Sequence, residues 1–207
     1  MADLTIYGGG LSPFVRAPLM VCIEKGVDYD NPEADIADPA YRAQHPFARV
    51  PSMRHGDFTL FESSAIMHYI DDIFDGPALQ PADRQQRALQ DAWMSAVADY
   101  VYRPVLTVVI ERFVAPQQER EPDQAVIDQA VIKVRDSFAV LDETLGKSAH
   151  LSGGDINLAD FGMYPQIFFA SMIPDTATVL KESANLSRWF NDLSSRESAK
   201  STQPQLG

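Results

Sequence analysis

The first 75 residues alternate between strand-like and helix-like patterns of apolar and polar positions. Residues 4–7 form a short β-favouring run that ends at three consecutive glycines, which predicts a first strand. A helical pattern runs from Pro13 to Lys25, where a basic last turn followed by Gly26 is typical of a helix C-terminus. The run at 27–29 predicts a second strand.

A β-hairpin and a helix complete this part of the chain. Residues 52–54 and 58–61 are two β-favouring runs separated by a turn at Gly56, which predicts the hairpin. An apolar-periodic pattern then predicts a helix that opens at 62–64 and continues to Ile73. The order β-α-β followed by β-β-α predicts a mixed sheet packed against helices.

Strand patterns fade beyond the Gly- and Pro-rich stretch at residues 76–81, and long helical patterns take their place. We predict helices at about 84–113, 123–145, 158–171 and 178–196, followed by a polar tail from Ser198 that frays. The chain is therefore expected to comprise an α/β domain (1–76), a linker (77–82) and an all-helical domain (83–207).

The helix predicted at 158 carries its own capping signal. Asn157 is a favoured N-cap, and Asp160 stands where a capping-box side chain bonds back to the backbone N–H of the N-cap residue. We predict a structural role for this pair rather than a catalytic one.

The composition narrows the range of partners. Apolar residues make up 45% of the chain and charged residues 22%, as in ordinary globular proteins, and no apolar run is long enough to span a membrane. A formal net charge of −12 disfavours nucleic acid and anionic lipid surfaces as partners. Asp3 stands where a secretory signal would carry basic residues, so a cytoplasmic location is expected.

Cys22 is the only cysteine, which excludes an intrachain disulfide and a thiolate-based zinc cluster. Its neighbours are apolar, so we expect it to pack in the core rather than act as a reactive thiol. No metal site is expected.

Ser12 stands between the glycine run and the first predicted helix, directly before Pro13. Serine is a favoured N-cap and proline is favoured at the first helical position, so capping alone is sufficient to explain the pair. The same position also suits an anion, because a helix N-terminus presents unpaired N–H groups and a partial positive charge. A serine hydroxyl there can donate a hydrogen bond to a thiolate and lower the pKa of that thiol.

A second cluster lies at residues 45–51. His45 and Arg49 are donors that suit carboxylates, although solvated loop residues would be the simpler explanation. The Val50-Pro51 bond precedes a predicted strand and is a natural site for a cis peptide, with an ordinary turn as the alternative.

A third cluster lies at the start of the helix predicted after residue 61. Glu62 can accept from an ammonium group, while a capping Ser63 or Ser64 exposes backbone N–H groups to a carboxylate. Each cluster alone is a weak signal, but the three together describe a site for a ligand with an amino-acid end.

Taken together, these motifs resemble the cytosolic glutathione transferases of a bacterial, serine-class-like type, and the stretch from Ser12 to Arg16 resembles the first-helix opening of the serine-type classes, particularly the plant tau class. The resemblance spans nearly the whole chain and rests on Ser12-Pro13, on the stretch 45–51, on Glu62-Ser63 and on the capping pair at 157–160. It implies a thioredoxin-like glutathione-binding domain followed by an all-α domain, and a homodimer. It also implies that glutathione is the co-substrate and is transferred to small hydrophobic electrophiles.

The resemblance implies roles for individual residues. Ser12 would stabilise the glutathione thiolate, with Tyr7 as its rival because tyrosine-type relatives use the end of the first strand. Val50 would pair through its backbone with the cysteinyl part, next to a cis Pro51. The other residues expected to bind glutathione are Phe14, His45, Arg49, Glu62 and Ser63, of which the last two would hold the γ-glutamyl end.

The helix predicted at 84–113 is expected to line the electrophile site, because the electrophile of this family lies against it. Tyr100 and Arg103 share a face of that helix and are the candidates for this site. Tyr102 and Leu106 share another face, and we expect them to pack in the core.

Two alternative functions stay open at this point. A glutathione-dependent peroxidase would use the same thiolate against a peroxide oxygen. A non-catalytic binding or regulatory module would retain the transferase fold without the catalytic activity. The presence of Ser12, Glu62 and Ser63 together favours catalysis, since a pure scaffold does not need all three.

Overall fold

The structure, a computed structural model, describes residues 3–204. Its α/β part contains a four-stranded mixed sheet with the strand order β2-β1-β3-β4. The strands are β1 (Leu4–Tyr7), β2 (Tyr29–Asp30), β3 (Ser52–His55) and β4 (Phe58–Phe61). β1 pairs with β2 in parallel and with β3 in antiparallel orientation, and β3 pairs with β4 as a hairpin. The predicted mixed sheet is confirmed, although the second strand begins at Tyr29 instead of at residue 27.

Helices make up most of the remaining described chain. They are α1 (Pro13–Lys25), α2 (Ser63–Ile73), α3 (Arg84–Ala96), α4 (Arg103–Val109), α5 (Ala115–Gln117), α6 (Gln124–Lys147), α7 (Leu158–Ser171), α8 (Pro174–Glu182), α9 (Ala184–Ser194) and α10 (Glu197–Ser201). Two π-helical segments, Val97–Tyr102 and Ile110–Val114, join α3 to α4 and α4 to α5. The predicted all-helical second half is therefore confirmed. No helix within residues 3–204 has the length and apolarity needed to cross a membrane.

The first helix is bounded by the signals that the sequence carries. Ser12 is its N-cap, Pro13 is its first residue, and Gly26 ends it in the left-handed conformation with φ of 70°. α1 packs against both α2 and α7, and buried apolar side chains from the two halves form one continuous core. The position of Ser12 is therefore fixed by both halves of the chain.

The C-terminal segment is held against α1, so the expectation of a frayed tail from Ser198 is wrong for residues 198–202. Ser198 is fully buried. The buried side chain of Arg16 donates from Nη2 to the carbonyl oxygen of Ala199 at 2.7 Å and from Nε to Thr202 Oγ1 at 3.2 Å. The part of that prediction that concerns residues 205–207 lies outside the described residues.

The single helix predicted at 178–196 is also wrong, because the chain forms α8 and α9 with a break at Ser183. The break is stabilised from another helix. Asp142 of α6 accepts hydrogen bonds from the backbone N–H groups of Asn185 at 2.7 Å and Leu186 at 2.9 Å, in the first turn of α9. This capping contact is long-range, so local sequence does not reveal it.

The capping box predicted at the start of α7 is confirmed. Asn157 accepts from the backbone N–H of Ala159 at 3.1 Å, and Asp160 Oδ2 accepts from the backbone N–H of Asn157 at 3.0 Å. The other oxygen of the fully buried Asp160 accepts from the backbone N–H of Leu151 at 3.2 Å and from Trp189 Nε1 at 2.8 Å. One carboxylate thus joins the start of α7 to the preceding loop and to α9.

Candidate active site

A cavity of about 340 Å³ lies where the α/β part meets the π-helical segment after α3. This volume lies near the lower end of the range for small-molecule sites. The lining residues are Ser12, Phe14, Ile36, His45, Arg49, Val50, Pro51, Glu62, Ser63, Ala98 and Tyr102. All the residues that the sequence nominated for glutathione binding, together with Ser12, are therefore brought to one cavity.

Ser12 is the N-cap of α1 and is one of the residues that line the cavity. Its Oγ accepts from the backbone N–H of Val15 at 3.4 Å, which is long for such a bond and indicates a weak cap. Because the oxygen acts as acceptor in this contact, the hydroxyl proton remains available for donation. The hydroxyl and the helix N-terminus therefore act on the same part of the cavity, and both favour an anion there.

Gly8 allows the loop before Ser12 to lie close to the cavity wall. Its φ is +138°, and a Cβ at this position would lie 2.6 Å from Val15 Cγ2 and 2.9 Å from Val50 Cβ. A residue with a side chain would therefore push the two walls of the site apart.

The segment before β3 contributes Val50 and Pro51, and the peptide bond between them is cis, as predicted. The Tyr41 hydroxyl anchors this segment, since it lies 3.0 Å from the carbonyl oxygen of Arg49 and 2.9 Å from Ser52 Oγ. The backbone around Val50 is thereby held in place along the cavity.

His45 is buried beneath the cavity, with its ring centroid 5.0 Å from that of Phe61. Its Nδ1 accepts from the backbone N–H of Phe47 at 3.3 Å, so the neutral ring carries its proton on Nε2. Burial lowers the pKa of His45, and Arg49 lowers it further, while Glu62 acts in the opposite direction. His45 is therefore a neutral hydrogen-bond donor at neutral pH.

Glu62 is held in a conformation that non-glycine residues rarely adopt, with φ of 71° and ψ of 118°. It is the N-cap residue of α2 without a side-chain capping bond, and the helix begins at Ser63. The prediction that Ser63 or Ser64 caps this helix is therefore wrong. The arrangement still suits the amino-acid end of a ligand, because the carboxylate of Glu62 lies beside the unpaired N–H groups at the start of α2.

Tyr7, the rival of Ser12, is not brought to this cavity. It lines a separate concavity with Thr5 and Asn31, and its hydroxyl accepts from Arg54 Nε at 3.3 Å.

Tyr100 and Arg103 do not reach the cavity either. Tyr100 lines an apolar cavity with Val140, and the exposed Arg103 pairs with Asp99 at 2.6 Å. The cause is the π-helical segment Val97–Tyr102, which changes the helical phase that regular 3.6-residue periodicity assumes.

The same segment places Ala98 and Tyr102 in the cavity wall instead. Sequence reasoning missed Tyr102 as a site residue, because it shares a face with Leu106 and was expected to pack in the core. Ile36 was also missed, since it lies in an irregular segment for which the sequence offers no pattern.

Comparison with known families matches both halves of the chain. The model described as "Glutathione S-transferase, N-terminal domain" matches residues 6–78, and "Glutathione S-transferase, C-terminal domain" matches residues 124–192.

Individual relatives cover nearly the full length. Glutathione S-transferase 4 of Zea mays is 31% identical over 94% of this chain and 89% of the maize protein. Glutathione S-transferase F9 of Arabidopsis thaliana is 29% identical over 96% of this chain and 95% of that protein. The structure of a serine-to-cysteine mutant of poplar glutathione transferase F1 has a TM-score of 0.86, with 28% identity, over 96% of this chain and 95% of the poplar chain. These relatives are plant proteins, so the expected bacterial type is not supported.

Proposed function

The chain belongs to the glutathione S-transferase family and transfers glutathione to electrophiles, and we propose that Ser12 activates the glutathione thiol for this reaction. The observation that carries the proposal is the position of Ser12, which is the N-cap of α1 and lines the cavity.

The chemical need is to keep the glutathione sulfur ionised. A free thiol has a pKa of about 8.5 and is mostly protonated at neutral pH. A hydrogen bond from the Ser12 hydroxyl and the partial positive charge of α1 both favour the thiolate. A depression of about two pKa units, equivalent to about 2.7 kcal/mol, makes most of the bound thiol reactive near pH 7. Ser12 is a donor to the nucleophile and not the nucleophile itself.

The other cavity residues are proposed to hold the peptide. Glu62 accepts from the ammonium group of the γ-glutamyl end, whose carboxylate meets Ser63 and the start of α2. Val50 pairs with the cysteinyl backbone next to Pro51. Three more residues complete the proposed glutathione site: His45 and Arg49 as donors to carboxylate, and Phe14 as an apolar wall.

We propose that the segments of the chain have the functions that the sequence indicated. Residues 1–76 bind glutathione, 77–82 link the two domains, and 83–207 contribute the site for a small hydrophobic electrophile. A cytoplasmic location and a homodimer belong to the proposal as well.

A pair of serine-to-alanine substitutions tests the assignment. Ser12→Ala is expected to lower kcat by about 100-fold or more near pH 7 and to move the pH profile of kcat/KM upward, because the thiolate loses its donor. Ser63→Ala makes the same chemical change at another residue that lines the cavity. It is expected to raise the KM for glutathione about tenfold, with the pH profile unchanged.

The measurement is steady-state kinetics with an aryl halide between pH 5.5 and 9. If Ser12→Ala kept the wild-type kcat and pH profile, Ser12 would not be the activating group.

A further inference from the structure

The π-helical segment Val97–Tyr102 determines which face the helical half presents to the cavity. The backbone N–H of Arg103, directly after it, donates to the carbonyl oxygen of Ala98, which lies five residues earlier instead of four. Ala98 and Tyr102 line the cavity, whereas the exposed Tyr100 lines the separate apolar cavity next to α6. The register of this one segment therefore decides which of its side chains lie in the wall of the candidate active site.

Pro104, two residues after the segment, accounts for the irregular helix. In a regular α-helix the N–H of residue 104 would donate to the carbonyl oxygen of Tyr100, four residues earlier. Proline has no N–H, and its ring clashes with the carbonyl at that position. A π-helical turn before the proline accommodates the ring. The Tyr100 carbonyl still lacks the donor that a regular helix would supply from residue 104.

Ser137 of α6 supplies a donor to this carbonyl from another helix. Its partly buried Oγ donates to the carbonyl oxygen of Tyr100. The same Oγ lies 2.8 Å from the carbonyl oxygen of Lys133, in the interior of α6, where a regular helix already provides a backbone N–H. Because a hydroxyl has only one proton to donate, the Tyr100 carbonyl is the acceptor that gains more from it.

We propose that Ser137 is a positioning residue for the electrophile side of the site. Its hydrogen bond replaces the one that Pro104 cannot make, and it holds the segment Val97–Tyr102 in the register that places Ala98 and Tyr102 in the cavity wall. Ser137 itself lines the apolar cavity and not the candidate active site, so it acts through the segment. The inference rests on the proposed function, in which the electrophile binds against the helical half.

Substitution of Ser137 tests this role by kinetics with an aryl halide. A hydrogen bond of typical net strength shifts a conformational equilibrium about fivefold, so Ser137→Ala is expected to lower kcat/KM for the aryl halide about fivefold at saturating glutathione. The KM for glutathione and the pH profile are expected to stay as in the wild type, because the glutathione side of the cavity is unchanged. Ser137→Thr keeps the hydroxyl and is expected to restore wild-type kinetics.

The matched control is Thr144→Ala on the same helix. It removes a hydroxyl that donates to a carbonyl of its own helix, that of Val140, at 2.9 Å, and it is expected to leave the kinetics unchanged. Hydrogen exchange adds a structural readout. The amides of residues 97–109 are expected to exchange faster in Ser137→Ala than in the wild type, while those of residues 84–93 in α3 are expected to stay the same.

Pro104→Ala makes the test specific, because it returns a backbone N–H to residue 104. In that background Ser137→Ala is expected to change kcat/KM for the aryl halide less than twofold, since the helix then has its own donor for the Tyr100 carbonyl. All variants are compared at one fixed protein concentration.

Three results would each overturn the proposal: wild-type kinetics in Ser137→Ala, an equal loss in Ser137→Thr, or the same loss with and without Pro104. A raised KM for glutathione or a shifted pH profile in Ser137→Ala would also overturn it, because the change would then act on the thiolate side. Ser12→Ala is expected to shift that pH profile, so failure of the thiolate assignment is seen separately from failure of the Ser137 assignment.

Discussion

Removal of the Asp160 carboxylate is expected to be among the most destabilising single changes in the helical half. In Asp160→Ala, three buried donors lose their acceptor: the backbone N–H groups of Leu151 and Asn157 and Nε1 of Trp189. Each buried donor left unpaired costs about 1–3 kcal/mol. Partial relaxation reduces the total, so we expect a loss of about 4 kcal/mol in the free energy of unfolding, which is large for one substitution.

Asp160→Asn sharpens the test because it keeps the shape of the side chain. One acceptor oxygen becomes an NH₂ group that faces a donor, so we expect the free energy of unfolding to fall by about 3 kcal/mol. The matched control is Asp155→Ala, on an exposed side chain of the same loop, with an expected change within about 0.5 kcal/mol.

The assay is urea unfolding followed by far-ultraviolet circular dichroism at one fixed protein concentration, since association would shift the apparent stability. A double-mutant cycle of Asp160→Ala with Trp189→Phe isolates the indole contact and is expected to give a coupling of at least about 1 kcal/mol. A loss below about 1 kcal/mol in Asp160→Ala would refute the reasoning, because the three contacts would then contribute little to stability.

Gly8→Ala is expected to lower stability by about 2 kcal/mol and to weaken glutathione binding, because its Cβ would lie 2.6 Å from Val15 Cγ2 at a positive φ. Gly10→Ala is the control, because nothing lies within 4 Å of a Cβ at that position. Urea unfolding measures the stability of both variants, and calorimetry measures their glutathione binding. Equal effects of the two substitutions would contradict the steric explanation. Hydrogen bonds from Arg120 and from a backbone N–H lower the pKa of Glu111 to about 2, against about 4.3 in the unfolded chain. The stabilisation from this carboxylate is therefore complete above about pH 4.3 and is lost as the pH falls toward 2. The difference in urea midpoint between the wild type and Glu111→Gln should shrink from pH 6 to pH 3. A difference that stays constant over this range would contradict the assigned pKa of Glu111.

Elements with signals in their own sequence were predicted accurately. α1 begins at Pro13 and ends before Gly26, and α7 begins after Asn157, because caps and glycine stops act within a few residues. The break at Ser183 was missed because the group that stabilises it, the Asp142 carboxylate, lies on another helix.

The candidate site shows the same division between local and long-range information. Ser12, His45 and Glu62 were found from motifs, and the fold brings them to one cavity. Tyr102 was missed because a π-helical segment changes which face of the helix meets the cavity, and periodicity arguments assume a regular helix. Cavity residues that belong to sequence motifs were thus predictable. Cavity residues whose position depends on helix irregularity and packing could be identified only from the structure.

The most direct test of the central claim is the pKa of the glutathione thiol when it is bound to the enzyme. Titration of the thiolate ultraviolet absorbance in the saturated complex gives this value, with free glutathione as the reference. We expect the wild-type complex to titrate about two units below free glutathione, and the Ser12→Ala complex to titrate at least about one unit above the wild type. If the bound thiol titrated at the same pH in both proteins, thiolate stabilisation by Ser12 would be contradicted.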